Sequence, residues 1–186
     1  MNVENSLMLT GRKKFTFKVI VVGDQGVGKT SLVRRFVEDT FDDSIQHSIS
    51  DNYFKNQIDF NSGNTVQLQL WDFGARAKHR HLLTNFVSGA RGALILFDMT
   101  RPIKIIEVLE WVNMVRQADM SLPIILVGTK CDLTDEIIIN NNEIRHIIQV
   151  FNINDYIETS SKENMNIFKV FYRLSKEIIK LQKYKG

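Results

Sequence analysis

Two patterns of apolar residues alternate along the chain, short continuous runs typical of buried strands and longer segments with helical spacing. The strand-like runs cover residues 15–22, 53–60, 66–72, 93–97, 124–128 and 156–158. The helical patterns cover residues 29–38, 105–117, 143–150 and 165–180. Because strands and helices alternate over most of the chain, the pattern predicts an α/β domain with a mostly parallel central sheet and helices on both faces.

Two parts of this pattern carry more specific predictions. The strands at 53–60 and 66–72 flank the sequence Asn-Ser-Gly-Asn at 61–64, which predicts a turn and therefore a β-hairpin. In the last helix, apolar residues recur at helical spacing, and we expect all of them to pack into the core. These residues are Ile167, Phe168, Phe171, Leu174, Ile178 and Leu181.

Length and composition indicate one folded domain. The chain has 186 residues, of which 44% are hydrophobic and 24% charged, typical of a globular protein that buries a core. No linker or repeat divides it, so we expect a domain at 14–182, an N-terminal extension at 1–13 and a short tail at 183–186. The net charge of only +3, without a Lys/Arg-rich block, argues against nucleic acid as a partner.

The ends of the chain and its single cysteine bear on its location. The N-terminal residues lack the apolar segment of a secretory signal, and no apolar run reaches membrane-spanning length. Asn2 excludes N-myristoylation, and the chain ends at Gly186 without a cysteine that could be prenylated. Cys131 has no intrachain disulfide partner, which suits a reducing cytosol. We expect a cytoplasmic protein without a lipid anchor in this chain, which partners can recruit to a membrane or organelle.

Residues 23–30, called the P-loop below, match the pattern G-x-x-x-x-G-K-S/T between a predicted strand and a predicted helix. Glycines let successive backbone N–H groups surround an anion, and the helix directs its positive end at the same place. Lys29 is expected to reach the β- and γ-phosphates, and the Thr30 hydroxyl to ligate Mg²⁺. The other predicted phosphate-binding residues are Gly26, Val27, Gly28 and Ser31. This pattern predicts a nucleoside triphosphate without selecting ATP or GTP.

Two further segments favour guanine, and with them the chain resembles the Ras superfamily of small GTPases. The base motif, Thr-Lys-Cys-Asp at 129–132, is similar to the family's N/T-K-x-D element. Its carboxylate, on Asp132, would accept two hydrogen bonds from guanine, whereas adenine offers no such donor pair. The base loop, Glu-Thr-Ser-Ser-Lys at 158–162, resembles the family's E-T-S-A-K loop, where a backbone N–H near Ser161 would bind guanine O6. The resemblance also assigns to the base site Phe41, Thr129, Lys130, Ser160 and Lys162.

The resemblance extends over about residues 14–180 and implies a Ras-like P-loop fold that binds GTP or GDP with Mg²⁺. In switch I (residues 47–50), Ser48 stands where the family has a Thr that binds the metal. Switch II (residues 71–81) begins Trp-Asp-Phe-Gly-Ala-Arg-Ala, where the family has W-D-T-A-G-Q-E. The predicted metal ligands are Thr30, Ser48 and Asp72.

Switch II departs from the family where catalysis takes place. Ala75 replaces a glycine that donates to the γ-phosphate, and Arg76 replaces the Gln that orients the attacking water. Since a guanidinium only donates hydrogen bonds, Arg76 cannot replace that Gln, and we expect slow hydrolysis. Two compensations stay open, an internal arginine finger from Arg76 or a contribution from Gln25 in the P-loop.

Two functions therefore remain, a slowly hydrolysing guanine-nucleotide switch and a nucleotide-locked pseudo-GTPase scaffold. A third function, that of a P-loop kinase, is disfavoured because no Arg-rich lid is present.

Aromatic and basic residues indicate where partner proteins would bind. Tyr53, Trp71 and Phe86 align with the aromatic trio that Rab proteins present to effectors. Fungal septation-initiation GTPases offer a second resemblance, although their switch II usually keeps the Gln. The basic residues of switch II after Arg76 suit an acidic effector or regulatory protein. They are Lys78, His79, Arg80 and His81.

Overall fold

The computed structural model describes residues 12–42, 52–73, 87–117 and 119–185. The elements in chain order are β1 (Lys14–Gly23), α1 (Lys29–Glu38), β2 (Asn52–Asp59), β3 (Thr65–Asp72), β4 (Ala90–Asp98), α2 (Ile105–Arg116), β5 (Ile124–Thr129), α3 (Asn141–Val150), β6 (Asp155–Glu158) and α4 (Ile167–Lys185). A short 3₁₀ helix at Thr134–Glu136 precedes α3. Every strand and helix predicted from the sequence is present, with ends that differ by a few residues.

The strands form one sheet in the order β2-β3-β1-β4-β5-β6. Only β2 and β3 run antiparallel, as the predicted hairpin, and the remaining neighbours are parallel. The hairpin closes with the Phe60 N–H donating to the Asn64 carbonyl at 2.8 Å. The predicted mostly parallel sheet is therefore confirmed, and its parallel strands end at one common edge.

Helices cover both faces of the sheet, because each central strand directs alternate apolar side chains to opposite sides. On β1, Phe17, Val19 and Val21 belong to the cluster that α1 and α4 complete. Ile20 and Val22 belong to the other cluster, which α2 and α3 complete. Both faces of the predicted architecture are confirmed, and none of the helices in the four described ranges has the length and apolarity needed to cross a membrane.

The prediction that every apolar residue of the last helix packs into the core is wrong for Phe168, which is 57% exposed. One residue, or about 100° of rotation, separates Phe168 from buried Ile167, so its side chain lies at the border of the buried stripe. There its ring stacks on Tyr172, with the ring centroids 5.7 Å apart. The helix also begins at Ile167 rather than 165, because Met165 instead forms a bridge with Ser160.

Helix α3 begins two residues before its predicted start. Asn140 precedes its first residue, and the Asn140 side-chain oxygen accepts a hydrogen bond from the Asn142 N–H at 2.8 Å. Such an N-cap satisfies one of the N–H groups that the first turn leaves without an intrahelical partner. Local capping, rather than the apolar pattern, therefore sets this boundary.

Candidate nucleotide-binding site

The predicted phosphate and base segments meet at the carboxyl edge of the parallel sheet. The P-loop follows β1, the base motif begins at the last residue of β5, and the base loop begins at the last residue of β6. In open α/β sheets this edge is where ligands bind. The topology therefore brings together three segments that are distant in sequence.

The P-loop makes a sharp turn that requires glycine at two positions. Gly23 has a φ of 144°, and a Cβ placed there would overlap the Leu96 carbonyl oxygen of the neighbouring strand. Gly28 has a φ of 87° and precedes α1, whose first bond runs from the Leu32 N–H to the Gly28 carbonyl at 2.9 Å. Both φ values lie in a region where residues other than glycine are strained, so the backbone conformation explains why the motif has glycine at these two positions.

Lys29 is the first residue of α1, and its side chain folds back into the P-loop. Its ammonium donates to the carbonyl oxygens of Gly23 and Asp24, at 2.9 and 2.8 Å, and the residue is only 6% exposed. Burial lowers the pKa of Lys29, while the carboxylates of Asp72 and Asp24 act in the opposite direction. The loop thus holds a buried cation that hydrogen bonds and neighbouring negative charge stabilise.

Two of the three predicted metal ligands are in direct contact. The Thr30 hydroxyl donates to Asp72 Oδ2 at 2.6 Å, and both residues are buried. Asp72 ends β3 and is the register partner of Val21 in β1, which places it beside the P-loop. The third, Ser48, lies outside the described residues. Thr30 and Asp72 present neighbouring oxygen atoms, the donor type that Mg²⁺ selects.

Thr129 lies under the P-loop, although the resemblance assigns it to the base site. Its hydroxyl is close to two backbone carbonyl oxygens, those of Val27 at 2.7 Å and Phe97 at 3.0 Å. The residue is 3% exposed and joins the end of β5 to the loop that follows β1. The side chain of this motif position therefore positions the P-loop backbone.

Backbone hydrogen bonds fix the base motif and the base loop to each other. The Thr159 N–H donates to the Gly128 carbonyl at 2.7 Å, and the Cys131 N–H donates to the Thr159 carbonyl at 3.1 Å. The Ser160 hydroxyl oxygen accepts from the Glu163 N–H at 2.9 Å. Ser160 is fully buried, and its hydrogen bond stabilises the turn of the base loop.

Arg35, a residue that the sequence analysis missed, supports the base loop from α1. Its Nε donates to the Ser161 carbonyl at 2.7 Å, and its Nη2 donates to the Lys162 carbonyl at 3.3 Å. The guanidinium carbon also lies 6.0 Å from the centroid of the Phe41 ring, which is half-buried. Phe41 is therefore close to the base loop, the neighbourhood that the resemblance implies for it.

The two charged residues of the base motif have different surroundings. Asp132 is half-buried at the sheet edge. The ammonium of Lys130, a residue with a φ of 61°, pairs with Asp98 Oδ2 at 2.6 Å. Burial acts to raise the pKa of Asp98, but hydrogen bonds from Lys130 and Thr100 outweigh it and keep that pKa below its ordinary value. Asp98, which the sequence analysis also missed, is therefore a buried anion beside the base motif.

The predicted catalytic and partner-binding residues are only partly described. Gln25 is exposed on the P-loop, whereas Ala75, Arg76, Phe86 and the basic residues 78–81 lie outside the described residues. Tyr53 on the edge strand β2 is 45% exposed, and its ring contacts that of Trp71 with the centroids 5.3 Å apart. Two members of the predicted aromatic trio are thus neighbours.

Known proteins are similar to this sequence over most of its length. A sequence model of the Ras family matches residues 18–180. Ras-related protein Rab-3C of Bos taurus is 29% identical over 161 residues, which cover 86% of this chain and 70% of that protein. Ras-related protein Rab-1 of Theileria annulata is 30% identical over 166 residues, which cover 88% of this chain and 74% of that protein. The Rab-1 protein of Theileria parva is 29% identical with the same coverage.

Proposed function

Because the chain belongs to the Ras family of GTP-binding, GTP-hydrolysing switches, we propose that its sheet edge binds GTP and GDP with Mg²⁺ and signals to effectors through the switch segments. One observation carries the proposal. The buried Lys29 ammonium and the Thr30–Asp72 pair meet at the same sheet edge as the base motif at 129–132. A site with a cation, a hard-metal donor pair and a guanine-selective carboxylate suits a guanine nucleotide better than any other common ligand.

The donor set beside the P-loop fits Mg²⁺. Asp72 is completely buried, and a buried carboxylate is stabilised by a cation or by hydrogen bonds. Thr30 and Asp72 would hold the ion, with Ser48 added in the GTP state. When bound, Mg²⁺ neutralises phosphate charge and orients the phosphate oxygens.

Removing Mg²⁺ is expected to accelerate nucleotide release, because Thr30 and Asp72 would hold the ion and the ion would neutralise phosphate charge. The measurement is the release of a fluorescent GDP analogue in buffer with Mg²⁺ and after addition of excess EDTA, with release expected to be at least about tenfold faster. Thr30→Ser keeps the hydroxyl and should respond to EDTA like the natural protein, whereas Thr30→Ala should release the analogue rapidly in both buffers. Equal release rates with and without EDTA would contradict the metal assignment.

Hydrolysis is proposed to be slow because this chain has no Gln at position 76. Phosphoryl transfer in this class depends on orienting water and stabilising charge on the transferred group. Arg76 can supply charge but cannot accept a proton or hydrogen bond from water. The GTPase activity of the family favours a slow switch over the pseudo-GTPase scaffold.

Arg76→Gln is expected to raise the single-turnover rate of GTP hydrolysis, because the amide can both donate to the γ-phosphate and accept from water. The expected rise is about a hundredfold, the lower end of what a positioned proton-transfer group contributes. Arg91→Gln, at the exposed second residue of strand β4, is the matched control and should leave the rate unchanged. A fall in the rate would show that Arg76 itself stabilises the transition state. An unchanged rate would indicate that Ala75 limits hydrolysis instead, which Ala75→Gly would test.

Effectors are proposed to bind next to the nucleotide, on the face that includes Tyr53 and Trp71. An exposed aromatic ring packed on a second one is typical of protein-binding surfaces, where aromatic residues are enriched. Phe86 and the basic residues 78–81 are proposed to contribute to effector binding as well. An acidic partner would fit it, since complementary charge selects partners and accelerates their association.

A further inference from the structure

A buried carboxylate connects the base motif with the P-loop. Asp98, at the end of β4, has a side chain that is only 1% exposed. Its Oδ1 accepts from the N–H and the hydroxyl of Thr100, at 3.0 and 2.8 Å. Its Oδ2 pairs with two cations, Lys130 Nζ at 2.6 Å and Arg101 Nε at 3.3 Å. Oδ1 therefore accepts hydrogen bonds, and Oδ2 holds two cations by ion pairing.

Arg101 extends this connection to the P-loop. While its Nε faces Asp98, its Nη1 donates to the backbone carbonyl oxygen of Gln25 at 3.3 Å. Its side chain is 57% exposed, unlike that of Asp98. One arginine thus joins a buried anion beside the base motif to the phosphate-binding backbone.

The contact with Gln25 controls the orientation of a whole peptide unit. All peptide bonds of the described residues are trans, and in a planar trans peptide the C=O and N–H groups point in opposite directions. Because the Gln25 carbonyl points to Arg101, the Gly26 N–H points to the other side. Thr129 makes the equivalent contact with the Val27 carbonyl two residues later. The carbonyls of Gln25 and Val27 are therefore each held, and the N–H groups of Gly26 and Gly28 point in the opposite directions.

A second contact holds the same part of the loop from the same side. Trp111 of α2 is buried, and its indole Nε1–H donates to Asp24 Oδ1 at 3.2 Å. The two consecutive P-loop residues Asp24 and Gln25 are thus both tied to the β4–α2 region. Trp111 belongs to the core, whereas Arg101 is exposed and contributes little to packing.

We propose that Arg101 is a positioning residue that, anchored by Asp98, orients the Gln25–Gly26 peptide toward the phosphates and thereby slows nucleotide release. The inference rests on the proposed nucleotide site. A loop whose N–H groups are already oriented binds an anion without first having to order itself. Arg101 does not itself contact the nucleotide in this account.

The test is the release of methylanthraniloyl-GDP from the full chain in Mg²⁺ buffer, chased with excess GDP. Arg101→Ala should accelerate release by about three- to tenfold, the range expected for the loss of one ordinary hydrogen bond, because this contact is exposed to solvent. Arg101→Lys should release the analogue at an intermediate rate, because lysine keeps the charge but cannot contact both Asp98 and the Gln25 carbonyl well. Arg91→Ala, which changes another exposed arginine near the start of β4, is the matched control and should not change release. Without nucleotide, the unfolding midpoint of Arg101→Ala should equal that of the natural protein.

A double-mutant cycle tests the anchoring by Asp98. If Arg101 acts through Asp98, the effects of Arg101→Ala and the isosteric Asp98→Asn on release should be clearly less than additive. Additive effects, or release from Arg101→Ala at the rate of Arg91→Ala, would overturn the inference. Failure of the natural protein to retain methylanthraniloyl-GDP would instead refute the proposed nucleotide site, so the two failures are distinguishable.

Discussion

Replacing Asp132 by asparagine is expected to change the preferred base from guanine to xanthine. A carboxylate accepts from both donors on the guanine edge, N1–H and the exocyclic amine, whereas an amide offers one acceptor and one donor group. Xanthine has a carbonyl in place of that amine and so suits the amide. Sites built to hydrogen-bond a substrate reject the mismatched analogue steeply, so GTP affinity should fall by about a hundredfold or more while that for xanthosine triphosphate rises.

The change in base preference is measured by competition against a fluorescent GDP analogue, with GTP, xanthosine triphosphate and ATP as competitors. Asp135→Asn, in the exposed 3₁₀ turn three residues later, removes the same charge and should leave the preference unchanged. The guanine assignment fails if ATP competes as well as GTP with the natural protein. It fails also if Asp132→Asn keeps its preference for GTP.

Lys29→Met is expected to abolish most nucleotide binding without destabilising the fold. The methionine side chain has similar length but lacks the charge that would contact the β- and γ-phosphates, so GDP and GTP affinity should fall by about a hundredfold or more. Burial lowers the pKa of Lys29 despite the neighbouring carboxylates of Asp72 and Asp24, so the folded protein disfavours the charged ammonium and removing the charge should not reduce stability. The melting temperature of the nucleotide-free variant should therefore equal or exceed that of the nucleotide-free natural protein.

Direct titration with the GDP analogue and thermal unfolding without nucleotide together separate binding from folding. Lys169→Met, an exposed lysine on α4, is the matched control, and neither quantity should change in it. Affinity in Lys29→Met within about threefold of the natural value would contradict the role of Lys29. A large fall in the melting temperature would show that Lys29 acts on the fold rather than on the phosphates.

The P-loop was predictable because its determinants are local. Residues 23–30 carry the glycines, the lysine and the hydroxyl within one strand-turn-helix segment, and the structure brings Lys29 and Thr30 to that turn. The hairpin at 61–64 was predictable for the same reason. The roles of Ser48, Ala75 and Arg76 stay predictions, since they lie outside the described residues.

Contacts between distant segments were not predictable. Thr129 meets Val27 across 102 positions of sequence, and Arg35 meets Ser161 across 126. Asp98 carries no motif of its own and becomes informative only when Lys130 and Arg101 are brought to it by the sheet. Phe168 shows a different limit of prediction. Helical spacing indicates which side of the helix a residue lies on, but it does not indicate whether a neighbouring element covers that side.

The support that α1 gives to the base loop has an evolutionary consequence. Arg35 binds the main-chain carbonyls of Ser161 and Lys162 rather than their side chains. Mutations at these two positions can therefore accumulate without loss of the support, as the Ser161 found here in place of the family's Ala illustrates. Arg35 has no such latitude, because a lysine there could not donate to two carbonyls from one planar group. Selection through this contact is thus expected to act on the arginine of the helix and not on the side chains of the two loop residues that receive it.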